Sequence, residues 1–422
     1  MKVLLGPVNN AGQPMALAKE LRKQGVEAHC LIYQNNRFGY EADRVVSFVP
    51  NNRMDVQYQT LKDCLKEDYD IYHFWYRTLF YGGTYEYLTG LDLPFIKNRG
   101  KKIVYSFTGF DLRFQSECMQ KNPYNVFKYG WKNVFSEESA RKYLNFLRYF
   151  VDAFVVLDEE MQSYLPEATI IPRVINLDEW KFVGIRETDC PLIVHAPSFP
   201  TIKGTPFVQK AVRQLKKEGL KFNYREVTNL KHKEAMELYK KADIIIDQLL
   251  IGWYGVLTVE AMALGKPVLV YLQDDLYKPA KPIPVENVNP SNLEDKLRYI
   301  LKDFNRRKDL SIRGRTFVEE MHDVKKVTRQ LIALYKNVLN QKNNQTFRPD
   351  SFDDILYFKE QFIDSVGSVP YRLQLKKLKE QMNQHHASLK ELSKLKSMAL
   401  QNAQLQREVN QLRSKLRKYE GS

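Results

Sequence analysis

Short apolar runs alternate between residues 1 and 340 with longer segments in which apolar residues recur every three or four positions. The short runs predict buried strands, and the three-to-four spacing predicts amphipathic helices. A chain in which strands and helices alternate forms parallel sheets, because each connection must cross a face of the sheet. The predicted strands are residues 3–5, 28–33, 71–74, 103–107 and 153–157 in a first series, and 192–196, 221–227, 244–247 and 267–271 in a second.

The two series are separated at residues 172–191, a segment of mixed polarity with a proline at either end. No period of two or of three to four residues runs through it, so it predicts a connection between domains. The length of 422 residues and the apolar content of 44% suffice for two cores. We therefore predict an α/β protein with two Rossmann-like domains, residues 1–172 and 173–340, facing each other across a cleft.

The pattern changes beyond residue 340. Residues 341–370 begin with a polar stretch that predicts a linker, and residues 371–422 carry apolar side chains at three-to-four spacing. This spacing predicts a coiled-coil helix that joins copies of the chain into a homo-oligomer, with a single solvated helix as the alternative. The helix holds 12 Lys and Arg against 4 Glu, more than half of the net charge of +15. Such a surface attracts either nucleic acid or anionic lipid.

The four cysteines, Cys30, Cys64, Cys118 and Cys190, stand far apart and form no CxxC pair. This spacing predicts reduced thiols rather than a disulfide frame or a zinc site. The first apolar run is too short for a secretory signal, and no stretch approaches the roughly 18 apolar residues of a membrane span. The sequence therefore predicts a cytoplasmic protein without a metal centre.

The segment most informative about function is residues 242–272, whose pattern predicts strand, glycine-bearing loop, helix and strand. Gly252 and Gly255 leave room for a ligand against the backbone that opens the helix predicted at 256–264. Free N–H groups at a helix start favour phosphate, and Glu260, one turn further on, can accept from a sugar hydroxyl. Phosphate together with a sugar hydroxyl indicates a nucleotide. On these grounds we assign nucleotide binding to Gly255, Val256, Leu257 and Glu260.

The string EAMALGKPV at residues 260–268 resembles a motif of the retaining GT-B glycosyltransferases of family 4, the glycosyl transferases group 1. The resemblance covers roughly residues 1–340 and implies transfer of a sugar from a nucleotide-diphosphate sugar. The family motif also has a Glu eight residues before its second Glu, and Gly252 stands at that place here. The loop carries Asp247 and Gln248 instead, which we assign to donor binding.

A lysine followed by glycine precedes the helix predicted at 205–218, and in the resembled family this lysine contacts the donor diphosphate. Here it is Lys203, whose alternative role is a solvated lysine at a helix start. The arginine that usually stands six residues earlier is replaced by Pro197, and we take Arg173 as its substitute. Ser198 lies in the same loop and joins the donor site. His195 is either a core histidine or a ligand contact.

A glycine-bearing turn follows the first predicted strand. Open α/β sheets bind ligands at the carboxyl ends of their strands, so Gly12 and Gln13 in this turn are candidates to contact donor sugar or acceptor. The turn lacks the GxGxxG spacing of dinucleotide sites. His73, at the end of the strand predicted at 71–74, is again either a ligand contact or a core histidine.

A further loop is similar to the His-Gly-x-Asp-x-Arg loop of related transferases, with Thr108 in place of His. Asp111 either binds an acceptor hydroxyl or pairs with Arg113 to fix the loop. The resemblance implies a front-face reaction without a protein nucleophile, in which the donor phosphate takes the acceptor proton and no metal or further cofactor is needed. The residues assigned to catalysis are Lys203, Glu260 and Asp111.

Residues 123–150 interleave aromatic side chains with lysine and arginine. This pattern fits either peripheral contact with the inner face of a membrane that bears a lipid-linked acceptor or a core helix with basic solvent-side residues. No nucleic-acid-binding signature accompanies it, so no specific nucleic acid partner is expected.

We therefore expect a glycosyltransferase that uses a nucleotide sugar and a glycan or lipid-linked acceptor in polysaccharide biosynthesis. The main alternative is a transferase fold that has lost activity and acts as a scaffold through its coiled coil. A GT-B epimerase or phosphorylase is the third interpretation.

Overall fold

The computed structural model describes residues 1–34, 38–49, 52–81, 89–132 and 136–342, together with residues 391, 394, 398, 401 and 404–410. The chain divides into one unit at Met1–Ile355 and another at Leu356–Ser422. Residues 404–410 are helical with exposed side chains. The linker predicted at 341–370 and most of the coiled coil predicted at 371–422 lie outside the described residues, and both stay predictions.

The first sheet consists of parallel strands from the first half of the chain. They are β1 (Lys2–Gly6), β2 (Glu27–Tyr33), β3 (Arg44–Val46), β4 (Ile71–Trp75), β5 (Lys102–Ser106), β6 (Ala153–Val156) and β7 (Thr169–Ile170). Their order is β3-β2-β1-β4-β5-β6-β7, and each neighbouring pair is parallel. Strands β4 and β5 are buried along their whole length because helices cover both faces of a parallel sheet.

The helices of the first lobe, defined here as β1–β7 with the helices between them, connect these strands. They are α1 (Gln13–Lys23), α2 (Arg53–Lys66), α3 (Leu93–Asn98), α4 (Gln115–Lys121), α5 (Glu137–Leu147) and α6 (Glu159–Gln162). Short polar residues cap two of them: the Ser136 side chain accepts from the Ser139 N–H at the start of α5, and Asp158 accepts from the Met161 N–H at the start of α6.

The second lobe is built in the same way around a smaller parallel sheet. Its strands are β8 (Leu192–His195), β9 (Asn223–Glu226), β10 (Ile244–Ile246), β11 (Val268–Val270) and β12 (Glu286–Asn287), in the order β12-β11-β10-β8-β9. Its helices are α7 (Pro200–Lys203), α8 (Thr205–Lys217), α9 (His232–Lys241), α10 (Val256–Ala263), α11 (Asp274–Tyr277), α12 (Leu293–Lys302) and α13 (Phe304–Met321). No described helix is both long and apolar enough to cross a membrane.

The chain passes between the lobes twice, at two adjacent places. The Ile175 N–H donates to the His322 carbonyl at 2.9 Å, and the Val324 N–H donates to the Ile175 carbonyl at 3.0 Å. Helix α14 (Val324–Asn340) then packs against the first lobe, where the Tyr335 hydroxyl meets His73 Nδ1 at 2.6 Å. The last helix of the second series thus contributes to the core of the first lobe.

The predicted fold class, two Rossmann-like α/β lobes, is confirmed, and each predicted strand is present. The sequence pattern misses β3, β7 and β12, because two or three residues are too few to show a period. It also misses α13, whose sequence FNRRKDLSIRGRTFVEEM spreads charged residues around much of the helix.

Candidate functional site

A cleft of about 680 Å³ lies between the lobes, at the carboxyl ends of the parallel strands. A neighbouring cavity of about 910 Å³ shares Tyr40, His232 and Glu260 with it. The predicted site residues that line the cleft are Ser198, Lys203, Val256, Leu257 and Glu260. The predicted site residues Gly12 and Gln13 line the neighbouring cavity.

Lys203 is fixed at the wall of the cleft. It ends the short helix α7, and Gly204, with φ of +74°, turns the chain into α8. The Lys203 ammonium donates to Asp247 Oδ1 at 2.6 Å and to Gln248 Oε1 at 2.8 Å. Its side chain is only 13% exposed. These contacts argue against a solvated lysine and leave a held cation beside the cleft.

Asp247 lies beneath the cleft and joins Lys203 to the start of α10. Its side chain is fully buried, and its Oδ2 accepts from the Gly255 N–H at 3.2 Å and the Thr258 hydroxyl at 2.7 Å. Burial by itself raises the pKa of the Asp247 carboxyl, but the Lys203 charge and these hydrogen bonds hold the pKa below its usual value. Asp247 is therefore an ionised anchor for Lys203.

Gln248 has a similar supporting place. Its Oε1 accepts from Lys203, and its Nε2 donates to the Trp253 carbonyl in the loop before α10. Neither Asp247 nor Gln248 is one of the described residues that line the cleft. Both side chains thus hold Lys203 and the backbone before α10.

Glu260 forms a pair that the sequence did not indicate. Its Oε1 meets His232 Nε2 at 2.7 Å, and the two side chains are 9% and 24% exposed. Burial opposes a charged imidazole, but the hydrogen bond and the charge of Glu260 outweigh it and raise the pKa of His232. His232 stands in a run of charged residues, KHKE, 28 positions before Glu260, so only the tertiary fold reveals the pair.

The glycine-bearing turn after β1 contacts the segment that passes between the lobes. Gly12 has φ of +73° and precedes α1. The Gln13 amide forms two hydrogen bonds with the backbone of Val174, donating to its carbonyl at 3.0 Å and accepting from its N–H at 2.6 Å. Asn10 Nδ2 donates to the Thr108 hydroxyl at 2.6 Å. Gln13 therefore fixes α1 to the segment that passes between the lobes.

Asp111 organises its own loop. Its carboxylate accepts from the backbone N–H groups of Thr108 and Gly109, at 3.0 Å and 2.6 Å. Burial raises the pKa of Asp111 to about 6, although these hydrogen bonds and the charge of Arg77 oppose the rise. The suggested pairing of Asp111 with Arg113 is wrong, because Arg113 donates to both carboxylate oxygens of Glu160. Asp111 is not among the cleft-lining residues described here.

Arg173 belongs to a buried cluster away from the cleft. Its guanidinium lies 2.8 Å from Asp158 Oδ2 and over the ring of Tyr254, and its side chain is 6% exposed. Arg113 and Glu160 form a second buried pair at 2.6 Å. The structure therefore does not bring Arg173 to the cleft wall beside Lys203.

Two histidines that the sequence left open lie in the cores of the lobes. His73 contacts Tyr335 and Ser106, and burial lowers its pKa to about 3. His195 contacts the Ile246 carbonyl and the Thr205 hydroxyl, each at 2.9 Å, and is fully buried. Both rings have two partners and are core residues. Within the described part of the chain, no group of three or more His, Cys, Asp or Glu is arranged to hold a metal.

The place of the absent family carboxylate is filled by other side chains. Gly252 has φ of +87°, and a Cβ built there would lie 2.5 Å from Gln273 Oε1 and 3.2 Å from Asn122 Nδ2. Asn122, from the first lobe, donates to the Ile251 carbonyl at 3.1 Å, and Gln273 Nε2 donates to the Lys121 carbonyl at 2.7 Å. The first lobe thus contacts the loop at the position where the family has Glu.

Restoring that carboxylate as Gly252→Glu is expected to destabilise the protein. The left-handed backbone and the overlap with Gln273 together should lower the free energy of unfolding by about 2–4 kcal/mol in urea denaturation. Gly219→Glu is the matched control, since Gly219 also has positive φ, +82°, but open space around its Cβ position. Equal losses in the two variants would show that the contact with Gln273 and Asn122 does not matter.

The aromatic residues at the start of segment 123–150 pack against the second lobe. The Tyr124 hydroxyl meets Ser291 Oγ at 2.8 Å, and the Tyr129 ring lies 5.0 Å from that of Phe207. Val126 is buried in the core of the second lobe. These side chains therefore serve contact between the lobes, and membrane contact would have to use other residues of the segment.

Comparison with solved structures shows the fold of this chain in other proteins. Sucrose-phosphate synthase from Thermosynechococcus elongatus is 14% identical, with a TM-score of 0.55 over 80% of this chain and 98% of that chain. HepE from Anabaena, in complex with UDP-glucose, is 12% identical, with a TM-score of 0.54 over 80% and 100%. The catalytic domain of starch synthase IV from Arabidopsis thaliana, bound to ADP and acarbose, is 12% identical, with a TM-score of 0.53 over 81% and 100%.

These likenesses show that the chain has the GT-B fold. A search with models of known protein families gives no match. A search of curated protein sequences gives no significant match either.

Proposed function

We propose that the protein is a glycosyltransferase that moves a sugar from a nucleotide-diphosphate sugar to a glycan or lipid-linked acceptor with retention of configuration. The supporting observation is that the Lys203 ammonium, fixed by Asp247 and Gln248, lies beside the start of α10. A Cβ built on Gly255, before α10, would lie 3.4 Å from Lys203 Nζ, and Glu260 lies one turn into that helix. Together they offer positive potential for a diphosphate and an acceptor for a ribose hydroxyl.

In the proposed reaction, the bond between the anomeric carbon and the diphosphate oxygen breaks, and the acceptor oxygen bonds to the same face of that carbon. The acceptor proton passes to an oxygen of the leaving diphosphate. Lys203 and the N–H groups at the start of α10 stabilise the negative charge that develops on the diphosphate. Glu260 orients the ribose, and Asp111 holds the loop on the acceptor side. The reaction needs no protein base, metal ion or further cofactor.

The solved proteins with this fold add support for a nucleotide ligand. HepE was solved with UDP-glucose and starch synthase IV with ADP, so the GT-B fold accommodates nucleotide diphosphates and their sugar esters. The carboxyl ends of two facing parallel sheets are also where α/β folds bind such ligands.

The setting of the enzyme is proposed from the sequence. We infer a cytoplasmic enzyme of polysaccharide biosynthesis, with contact to the inner face of the membrane where the acceptor is lipid-linked. Residues 371–422 would join copies of the chain as a basic coiled coil. No specific nucleic acid partner is proposed.

The purified protein is expected to bind at least one sugar nucleotide among UDP-, GDP- and ADP-sugars in the presence of EDTA. A ligand at about 100 times its dissociation constant adds about 2.7 kcal/mol to the free energy of unfolding, which a thermal-shift screen detects. With the donor identified, the anomeric configuration of the product is read by NMR. Retention supports the mechanism, whereas an inverted product or the absence of any binding contradicts it.

The contacts at Gly252 favour one other function, that of a scaffold without transferase activity. Gln273 and Asn122 occupy the place of the family carboxylate, so the protein could have kept the fold after loss of the donor-sugar contact. The same screen separates the two functions, because an inactive scaffold without a donor site should bind no sugar nucleotide.

A further inference from the structure

We propose that His232 is a positioning residue that holds Glu260 for the ribose hydroxyls of the donor nucleotide and ties this contact to the first lobe. The inference rests on the proposed function, which gives Glu260 its ribose. It concerns a histidine that the resemblance does not include. The starting observation is the 2.7 Å contact between His232 Nε2 and Glu260 Oε1.

The imidazole ring of His232 is fixed from both lobes. Tyr40, on the first lobe, lies against it with ring centres 4.9 Å apart, and Trp180, on the connection between the lobes, lies at 5.7 Å. The His232 N–H, at the start of α9, donates to the Phe38 carbonyl of the first lobe at 3.1 Å. The ring and the backbone of one residue thus connect the second lobe to residues 38–40.

The hydrogen bond leaves Glu260 with one oxygen for a ligand. No hydrogen bond within the described part of the chain engages Glu260 Oε2, while Oε1 is held by His232. A carboxylate that is fixed before binding loses less side-chain entropy when a hydroxyl arrives. His232 is therefore placed to make Glu260 a better and more selective acceptor for ribose.

The charges around His232 favour this role. Glu260 faces the ring from α10, while Tyr40 faces it from the first lobe with a phenol whose pKa burial raises further above its usual value. Next along α9, Lys233 lies 3.6 Å from Glu41 and is 85% exposed. Glu260 is thus the acidic side chain that faces the His232 ring, and a hydrogen bond to a carboxylate is stronger than one between neutral groups.

Discrimination between ribose and deoxyribose tests the inference. Binding of UDP, GDP and ADP to the full chain is measured by calorimetry, and the tightest binder is compared with its 2′-deoxy and 3′-deoxy forms. The wild-type protein is expected to prefer the ribonucleotide over one deoxy form by on the order of tenfold or more, as for a hydrogen bond to a charged group. His232→Leu should bring this ratio close to one by weakening the ribonucleotide alone.

His232→Gln is the conservative variant, since its side-chain amide can donate to Glu260 as Nε2 does, and it should keep most of the preference. Lys233→Ala is the matched control, because the ion pair of this neighbouring residue is with the exposed Glu41 carboxylate and does not involve Glu260, and it should leave the ratio unchanged. A preference that survives in His232→Leu overturns the inference. So does an equal loss of affinity for the ribo and deoxy forms, which indicates a structural role only.

A second variant covers the case in which His232→Leu does not fold. Glu260→Gln should also lose the ribose preference, and adding His232→Phe, which keeps a ring beside Tyr40 and Trp180 but cannot donate a hydrogen bond, should cause no further loss. Additive losses in that pair would show that the two residues act separately and would overturn the inference. Failure of the wild-type chain to bind any of the three diphosphates would instead count against the proposed function, and the inference would fall with it.

Discussion

Lys203→Met is expected to reduce the rate of sugar transfer by about 100- to 1000-fold, the loss seen when one group that stabilises a developing charge is removed. It should also lower the free energy of unfolding by about 3 kcal/mol, because the buried carboxylate of Asp247 loses its cation. The loss stays at the lower end for a buried pair, since Gly255 and Thr258 still donate to Asp247. Transfer assays and urea unfolding measure the two effects.

The double variant Lys203→Met, Asp247→Asn separates these two effects. An asparagine side chain can still accept from Thr258 but leaves no buried charge, so most of the lost stability should return while the transfer rate stays low. A double variant that regains its activity would show that Lys203 acts only by balancing Asp247. Its role at the diphosphate would then be rejected.

Arg113→Met is expected to cost about 3–5 kcal/mol of unfolding free energy, the usual effect of removing one partner of a buried pair. Glu160 is 1% exposed, and Arg113 donates to both of its oxygens at 2.6–3.0 Å. Burial and the nearby Asp158 carboxylate already raise the pKa of Glu160 although Arg113 opposes the rise, so the loss of Arg113 should raise the folded-state pKa further above the unfolded value. The variant should therefore lose stability as the pH rises through that pKa, and denaturation at pH about 5 and about 7.5 measures the difference.

The exposed pair Arg148–Glu167 is the control for this prediction. Its two side chains are 44% and 46% exposed, and Arg148→Met should change the unfolding free energy by no more than about 0.5 kcal/mol. In Arg113→Met, Glu160→Met, much of the lost stability should return, because no buried charge is left alone. An Arg113→Met variant that is no less stable than Arg148→Met would contradict the account of this cluster.

The sequence was sufficient for the parts of the site that lie in one continuous segment. The apolar run before Asp247 predicts a buried strand, and the glycines before α10 predict the start of a helix. The fold contains the strand as β10 and the helix as α10. The resemblance added Lys203, whose contact with Asp247 spans 44 residues. Local pattern could not show that Asp247 itself would accept from Lys203, since this depends on how β8 and β10 lie side by side.

The sequence could not predict contacts between residues that are far apart along the chain. His232 is one polar residue in a polar run. Its contacts with Glu260 and with the Phe38 carbonyl form only because α9 lies next to α10 and to residues 38–40 in the folded chain. Arg173 was taken as a substitute for a donor-site arginine, but the acidic start of α6 pairs it with Asp158. The sequence also showed that Gly252 stands where the resembled family has Glu. It could not show that Asn122 and Gln273 fill the space beside Gly252.

The packing of α14 limits how the two lobes can be exchanged as modules. A chimera that replaced residues 173–340 as one block would remove Tyr335, which is fully buried and bonded to His73 in the first lobe. A foreign last helix would have to fill the same space against α1 and β4. A block that ends before Val324 would leave α14 packed on the first lobe, so recombination of the second lobe is best confined to the chain between the two crossings.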